Sequence, residues 1–150
     1  MNQNPKVPLA KKGILYPQTE KNTSVSEAKR CLECNTVCQC CVDVCPNRAN
    51  VVVHSNNKDQ ILHIDAMCNE CGKCTIFCPY DSSPYKDKFT LFNSLSDMEN
   101  STNDGCAPLD LTHDSFAIRI EGKLLQLEES DKTIQNLIRT VEKEYHWLYF

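Results

Sequence analysis

Glycine is scarce in this chain. Its 150 residues include four, Gly13, Gly72, Gly105 and Gly122, too widely spaced to form the G-x-G-x-x-G loop that cradles a dinucleotide pyrophosphate. Nicotinamide and flavin dinucleotides are therefore not bound in that way. Long apolar runs are missing as well, and none approaches the roughly 18 to 20 residues of a membrane-spanning helix, so no membrane span is expected. There is no excess of basic charge: the formal net charge is -4 and the pI about 5.5, unlike a typical nucleic-acid binder, so no nucleic-acid partner is expected. The opening MNQNPKVPLAKKGILYP lacks the apolar centre and cleavage site of a secretory signal. This points to a cytoplasmic location, where thiols stay reduced. C-x2-C-H, the haem attachment motif, does not occur. The four histidines, His54, His63, His113 and His146, show no ligand spacing and are expected to be ordinary polar or half-buried residues.

Cysteine is abundant instead. Ten of the eleven cysteines lie between Cys31 and Cys78, and an odd count in a reducing compartment favours metal over disulfides. The chain divides around this block. Residues 1–23 are expected to be a flexible basic N-terminal arm, since residues 1–30 carry six basic side chains against two acidic ones. Ser24 and Glu27 fit a capping box, so a short helix should run into Cys31. Val51–His54 and Ile61–Ile64 are β-prone runs joined by a polar stretch, which predicts a hairpin. Residues 81–150 are expected to form a small α+β extension. Its strands should lie at Phe89–Phe92, Ser115–Ile120 and Lys123–Leu127, the last two joined tightly at Glu121-Gly122. The polar stretch Leu95–Asp114 reads as a long loop, with Cys106 as a free thiol on its surface. A final amphipathic helix should begin at Ser130 and place Ile134, Leu137, Ile138, Val141, Tyr145 and Leu148 on one face.

Cys68-x2-Cys71-x2-Cys74-x3-Cys78-Pro79 is a complete C-x2-C-x2-C-x3-C-P run, and Cys38-x2-Cys41-x3-Cys45-Pro46 repeats its ending. Two copies of this motif flanking a hairpin resemble a two-cluster bacterial-type ferredoxin, whose fourth cysteine ligates the other cluster. The fold class expected for residues 24–80 is therefore α+β, a two 4Fe-4S ferredoxin-like domain. That resemblance assigns Cys45, Cys68, Cys71 and Cys74 to one cluster, and Cys38, Cys41 and Cys78 to the other. Strict spacing puts the remaining ligand at position 35, which is Asn35; Cys34 is the nearest thiol and Cys31 the alternative. Cys40 lies off the repeat and is expected to be a buried neighbour of the ligands. Val37, Val42, Val44, Ile76 and Phe77 are expected to shield the clusters. Gly72 is expected to permit close backbone approach, and Lys73 to be solvated. Zinc is the competing occupant, since pairs of C-x2-C also build closed tetrahedral sites. It gives no reason for a third cysteine two residues on or for a twice-repeated C-P ending.

The segments Arg30–Cys38, Val42–Asn50, Cys68–Cys74 and Pro84–Lys88 further resemble the C-terminal iron-sulfur region of the YgfK family of proposed selenate reductase subunits. That family is similar to the glutamate synthase small subunit and dihydropyrimidine dehydrogenase, in which a flavoprotein is coupled to 4Fe-4S clusters. The likeness spans roughly residues 24–128 and includes Cys31 and Cys34 together. In the glutamate synthase relatives both cysteines of such a pair bind iron. The resemblance implies a split-off electron-transfer subunit carrying two 4Fe-4S clusters, not catalytic alone, and served by a flavoprotein oxidoreductase subunit that holds flavin and NAD(P) on another chain. The alternative function is a zinc-stabilised protein-interaction module.

Overall fold

A computed structural model describes residues 38–110, 112 and 115–149. The expected arm, the capping box at Ser24 and the thiols Cys31 and Cys34 lie outside the described residues, as does Val37. Among the described residues six strands form one sheet whose spatial order follows the chain: β1 (Asn50–Ser55), β2 (Lys58–Ile64), β3 (Thr90–Leu91), β4 (Gly105–Pro108), β5 (Phe116–Ile120) and β6 (Lys123–Gln126). The pairs β1–β2, β4–β5 and β5–β6 are antiparallel, whereas β2–β3 and β3–β4 are parallel. Around the sheet lie α1 (Cys40–Asp43), α2 (Lys73–Ile76), α3 (Pro84–Asp87), α4 (Leu95–Glu99) and α5 (Lys132–Glu144). The sheet crosses the boundary expected after residue 80 without interruption, because His63 of β2 pairs with Thr90 of β3.

Turn chemistry fixes both hairpins. Asn56 and Asn57 have φ of 53° and 60°, and Glu121 and Gly122 have φ of 51° and 77°. Two successive left-handed residues make the two-residue turn whose twist matches that of paired strands, and asparagine and glycine tolerate it best. The first turn is thus shorter than the polar stretch suggested, since the ladder continues to Ser55 and Lys58.

Period-two alternation then sorts side chains onto the two faces of the sheet. One face carries Val53, Leu62, Ile64, Leu91, Cys106, Phe116 and Ile118, buried against Leu137, Ile138 and Val141 of α5. Each fully buried Leu or Ile contributes roughly 1.5 to 3 kcal/mol, so this layer is the main stabilising core. The helix starts one residue later than expected: Asp131 caps it by accepting from Thr133 N at 2.9 Å, while Ser130 Oγ donates to Leu127 O at 2.7 Å to close the preceding turn. It ends at Glu144, and Leu148 is buried from the following 3-10 turn, His146–Leu148. Gln60 faces the same side, opposite Val53, and neither amide atom of its buried side chain has a hydrogen-bond partner among the described residues. An unpaired buried amide costs about 1 to 3 kcal/mol. Gln60→Leu is therefore expected to raise the denaturation midpoint, gaining about 1 kcal/mol; a fall in the midpoint would contradict the packing described.

The loop expected over Leu95–Asp114 is corrected. It contains α4, with Ser94 as N-cap accepting from Asp97 N, and the buried strand β4. Polar composition misleads here because the polar groups bind one another and the backbone. Arg119 reaches across from β5 to donate to the carbonyls of Met98 (2.6 Å), Asn103 (3.3 Å) and Ser101. Asn103 Nδ2 donates to Tyr85 O at 2.8 Å. Cys106 is likewise not on a surface loop: it is fully buried in β4, and burial pushes its thiol up to about 12.

Candidate metal centre

The other face of the hairpin carries Asn50, Val52, Ile61 and His63, cross-strand neighbours by register. Against it sit α1 and α2, each a single turn. Both turns begin one residue before a motif cysteine, and the backbone repeats from there. Val44 N donates to Cys40 O at 3.0 Å in the first copy, and Phe77 N to Lys73 O at 3.1 Å in the second. Three residues past each terminal cysteine the chain turns left-handed, at Arg48 (φ 55°) and Asp81 (φ 56°). The internal repeat of the sequence is thus also a repeat of conformation. Cys41 and Cys74, at equivalent places in the two turns, are buried in one apolar cluster with Ile61, and Val42, Val44, Val52 and Tyr85 pack around it.

Four thiols, Cys45, Cys68, Cys71 and Cys74, line one small recess that is open to solvent. Cys45 comes from the first motif and the other three from the second. Backbone amides aim at two of the sulfurs: Ala49 N donates to Cys45 Sγ at 3.2 Å and Glu70 N to Cys68 Sγ at 3.3 Å. Burial is the main cause that raises the Cys68 and Cys74 thiols, and repulsion from Cys45 adds to both.

Cys38, Cys41 and Cys78 form a second neighbourhood. Cys41 is pushed up to about 12, chiefly by burial; the nearby Lys88 charge opposes the rise, and Cys78, Cys74 and Cys38 add to it. Lys88 is itself buried. Cys40 is half-buried rather than buried and lies in the same neighbourhood: burial and then repulsion from Cys38 and Cys78 raise its thiol, and its Sγ donates to Phe77 O at 3.2 Å. Among the described residues no group of three Cys, His, Asp or Glu side chains is drawn together tightly enough to hold a single metal ion. The four recess thiols, with amide donors at Cys45 and Cys68, are a donor set whose chemistry fits an iron-sulfur cluster.

Two expectations are corrected here. Ile76 and Phe77 do not cover the thiols: they are 73% and 57% exposed, because the single turn of α2 points Cys74 inward and its next residues outward. Gly72 is required by its left-handed φ of 73° rather than by a close neighbour, since a Cβ there would meet nothing within 4 Å. Lys73 is exposed, as expected.

The residues that sequence reasoning missed are Asn50 and His63. Asn50 Nδ2 donates to Cys41 O at 3.1 Å, which leaves Oδ1 facing His63 Nδ1 at 3.1 Å. A carbonyl oxygen only accepts, so His63 carries a proton on Nδ1. The signal was two polar residues at inward positions of an otherwise apolar hairpin face. Burial lowers the His63 pKa from 6.5 to about 4. The folded form therefore binds fewer protons than the unfolded form between those values, and stability is lost as pH falls from 6.5 toward 4. The full effect of such a shift is on the order of 3 kcal/mol. The denaturation midpoint of wild type should fall across this window more steeply than that of His63→Gln; parallel curves would contradict a buried neutral histidine.

In sequence the chain is similar to proteins described as oxidoreductases. Two curated relatives, from Escherichia coli O157:H7 and Escherichia coli strain K12, each carry the description "Putative oxidoreductase YgfK" and are 44% identical over 133 residues. These matches cover 81% of this chain but 13% of the relatives, so the chain spans about an eighth of their length. No family model and no solved structure matches. Among the described residues no helix is long and apolar enough to cross a membrane.

Proposed function

We propose that this chain is an electron-transfer subunit of an oxidoreductase and holds two 4Fe-4S clusters. The observation that carries the reading is the convergence of Cys45 with Cys68, Cys71 and Cys74 around one recess, because a thiol from the first motif completes the second set. Cys78 in turn lies near Cys38 and Cys41, with Cys34 or Cys31 as the fourth ligand. When bound, each cluster would accept or release one electron.

The residues around the recess divide the remaining tasks. The thiolates hold the metal, and the amides of Ala49 and Glu70 disperse negative charge on Cys45 and Cys68. The apolar packing of Val42, Val44, Val52 and Ile61 limits water on the hairpin side. The exposed edge at Cys71 and Cys38 is where an electron would enter or leave. With four glycines and no dinucleotide loop, the chain relies on a separate flavoprotein as electron donor or acceptor, and the far greater length of the relatives leaves room for such a unit.

Anaerobic purification followed by iron, sulfide and zinc analysis tests the reading. About eight irons and eight sulfides per chain are expected. Stoichiometric zinc without acid-labile sulfide would replace it with a structural zinc module.

A further inference from the structure

We propose that Cys40 is a positioning residue: its thiol clamps the peptide that carries Cys78 onto the first cysteine motif, and so holds Cys78 at the cluster of Cys38 and Cys41. The inference rests on the two-cluster reading above. Among the thiols from Cys38 to Cys78, Cys40 is the one that the repeat does not explain. Matching Cys38, Cys41 and Cys45 to Cys71, Cys74 and Cys78 sets it against Lys73. Cys40 opens α1, where its carbonyl accepts from Val44 N at 3.0 Å, so the turn fixes its backbone. Its Sγ donates across to the other motif, to Phe77 O at 3.2 Å.

That acceptor sits next to a ligand. Phe77 follows the single turn of α2, at the end where helix carbonyls are left without partners in their own helix. Its side chain is 57% exposed and gives the carbonyl no buried anchor. The Phe77 carbonyl and the Cys78 amide belong to one planar peptide. Cys78 N donates to Thr75 O at 3.3 Å, within the second motif, while the carbonyl end is held by Cys40 of the first. A plane tied at both ends fixes the direction in which the Cys78 side chain leaves it. The two crossing cysteines are thus secured differently: Ala49 N donates to the sulfur of Cys45, whereas the tie near Cys78 is made on its peptide. A thiolate that lets go of iron returns sooner when its backbone is fixed, so the clamp slows loss of the cluster without adding a ligand.

The test uses the full chain carrying its clusters. Wild type, Cys40→Ala and Cys40→Ser are exposed anaerobically to an iron chelator, and samples are reduced and frozen at intervals to follow the two cluster EPR signals. The signal that is lost in Cys41→Ala identifies the cluster concerned. In Cys40→Ala it is expected to disappear about two- to fivefold faster than in wild type, the size of one weak hydrogen bond, with the other signal unaffected. Cys40→Ser keeps a donor at the same place and should restore most of the wild-type rate. Equal rates in wild type and Cys40→Ala, equal acceleration of both clusters, or a Cys40→Ser rate as fast as that of Cys40→Ala would overturn the proposal. If Cys40→Ala does not load this cluster, Cys40→Ser decides. A loaded cluster with the wild-type midpoint potential supports the clamp, because an oxygen ligand in place of sulfur would shift that potential; a shifted midpoint or no cluster makes Cys40 a ligand and overturns it. Wild type free of iron and sulfide would instead overturn the two-cluster reading on which the proposal stands.

Discussion

Cys45→Ala is expected to abolish the same EPR signal as Cys68→Ala, and Cys78→Ala the same signal as Cys41→Ala, although each terminal cysteine belongs to the opposite sequence motif. Cys45 lines the recess of Cys68, Cys71 and Cys74, having left its own motif after the turn of α1. Cys78 leaves the second motif at the equivalent point, after α2, and its charge acts on Cys41. Each terminal substitution should therefore lower bound iron from about eight to about four per chain, with different surviving signals. Iron analysis with EPR of the four single variants checks this. Grouping by motif, with Cys45→Ala matching Cys41→Ala, would contradict the exchange.

Gly105→Ala should cost more stability than any other single methyl group added at a described glycine. A Cβ at Gly105 would fall 2.0 Å from Thr90 O, 2.8 Å from Thr90 C and 2.9 Å from Phe92 Cε2. Two of these atoms are backbone in the neighbouring parallel strand, so relief requires β3 and β4 to separate. Thr90 N donates to Asp104 O and Phe92 N to Cys106 O, both at 2.9 Å, and these bonds would be strained or lost. We expect a loss above about 4 kcal/mol, a large share of the roughly 5 to 15 kcal/mol typical of a domain. Gly72→Ala makes the contrast: with open space and φ of 73°, it should cost only about 1 to 2 kcal/mol. Chemical denaturation of both variants measures the difference, and equal losses would show that the tight β3–β4 approach does not hold.

Much of the candidate site was legible because cysteine spacing is a local property. The C-x2-C-x3-C-P repeat marked the two segments whose backbone conformation repeats, and the resemblance to two-cluster ferredoxins grouped Cys45 with Cys68, Cys71 and Cys74, four thiols that line one recess. Strand alternation and helical period likewise exposed the two hairpins and α5, where apolar residues recur at a single period. The middle of the chain was less legible. β3 is two residues long and pairs in parallel with strands distant in sequence, so no turn signal announces it. The polar segment after Leu95 looked like a loop because its order comes from Arg119, some twenty residues away, which binds the carbonyls that composition alone leaves unpaired. Asn50 and His63 escaped for a related reason: each is unremarkable alone, and their role follows from a register that places them opposite one another.

The central claim is that two clusters lie close together and are stitched by exchanged ligands. The most direct measurement is the EPR spectrum of anaerobically purified, dithionite-reduced full chain, integrated against its iron content. Two spins per chain with the broadened signal of interacting clusters are the predicted result. A chain with zinc, no labile sulfide and no reduced-cluster signal would contradict the account.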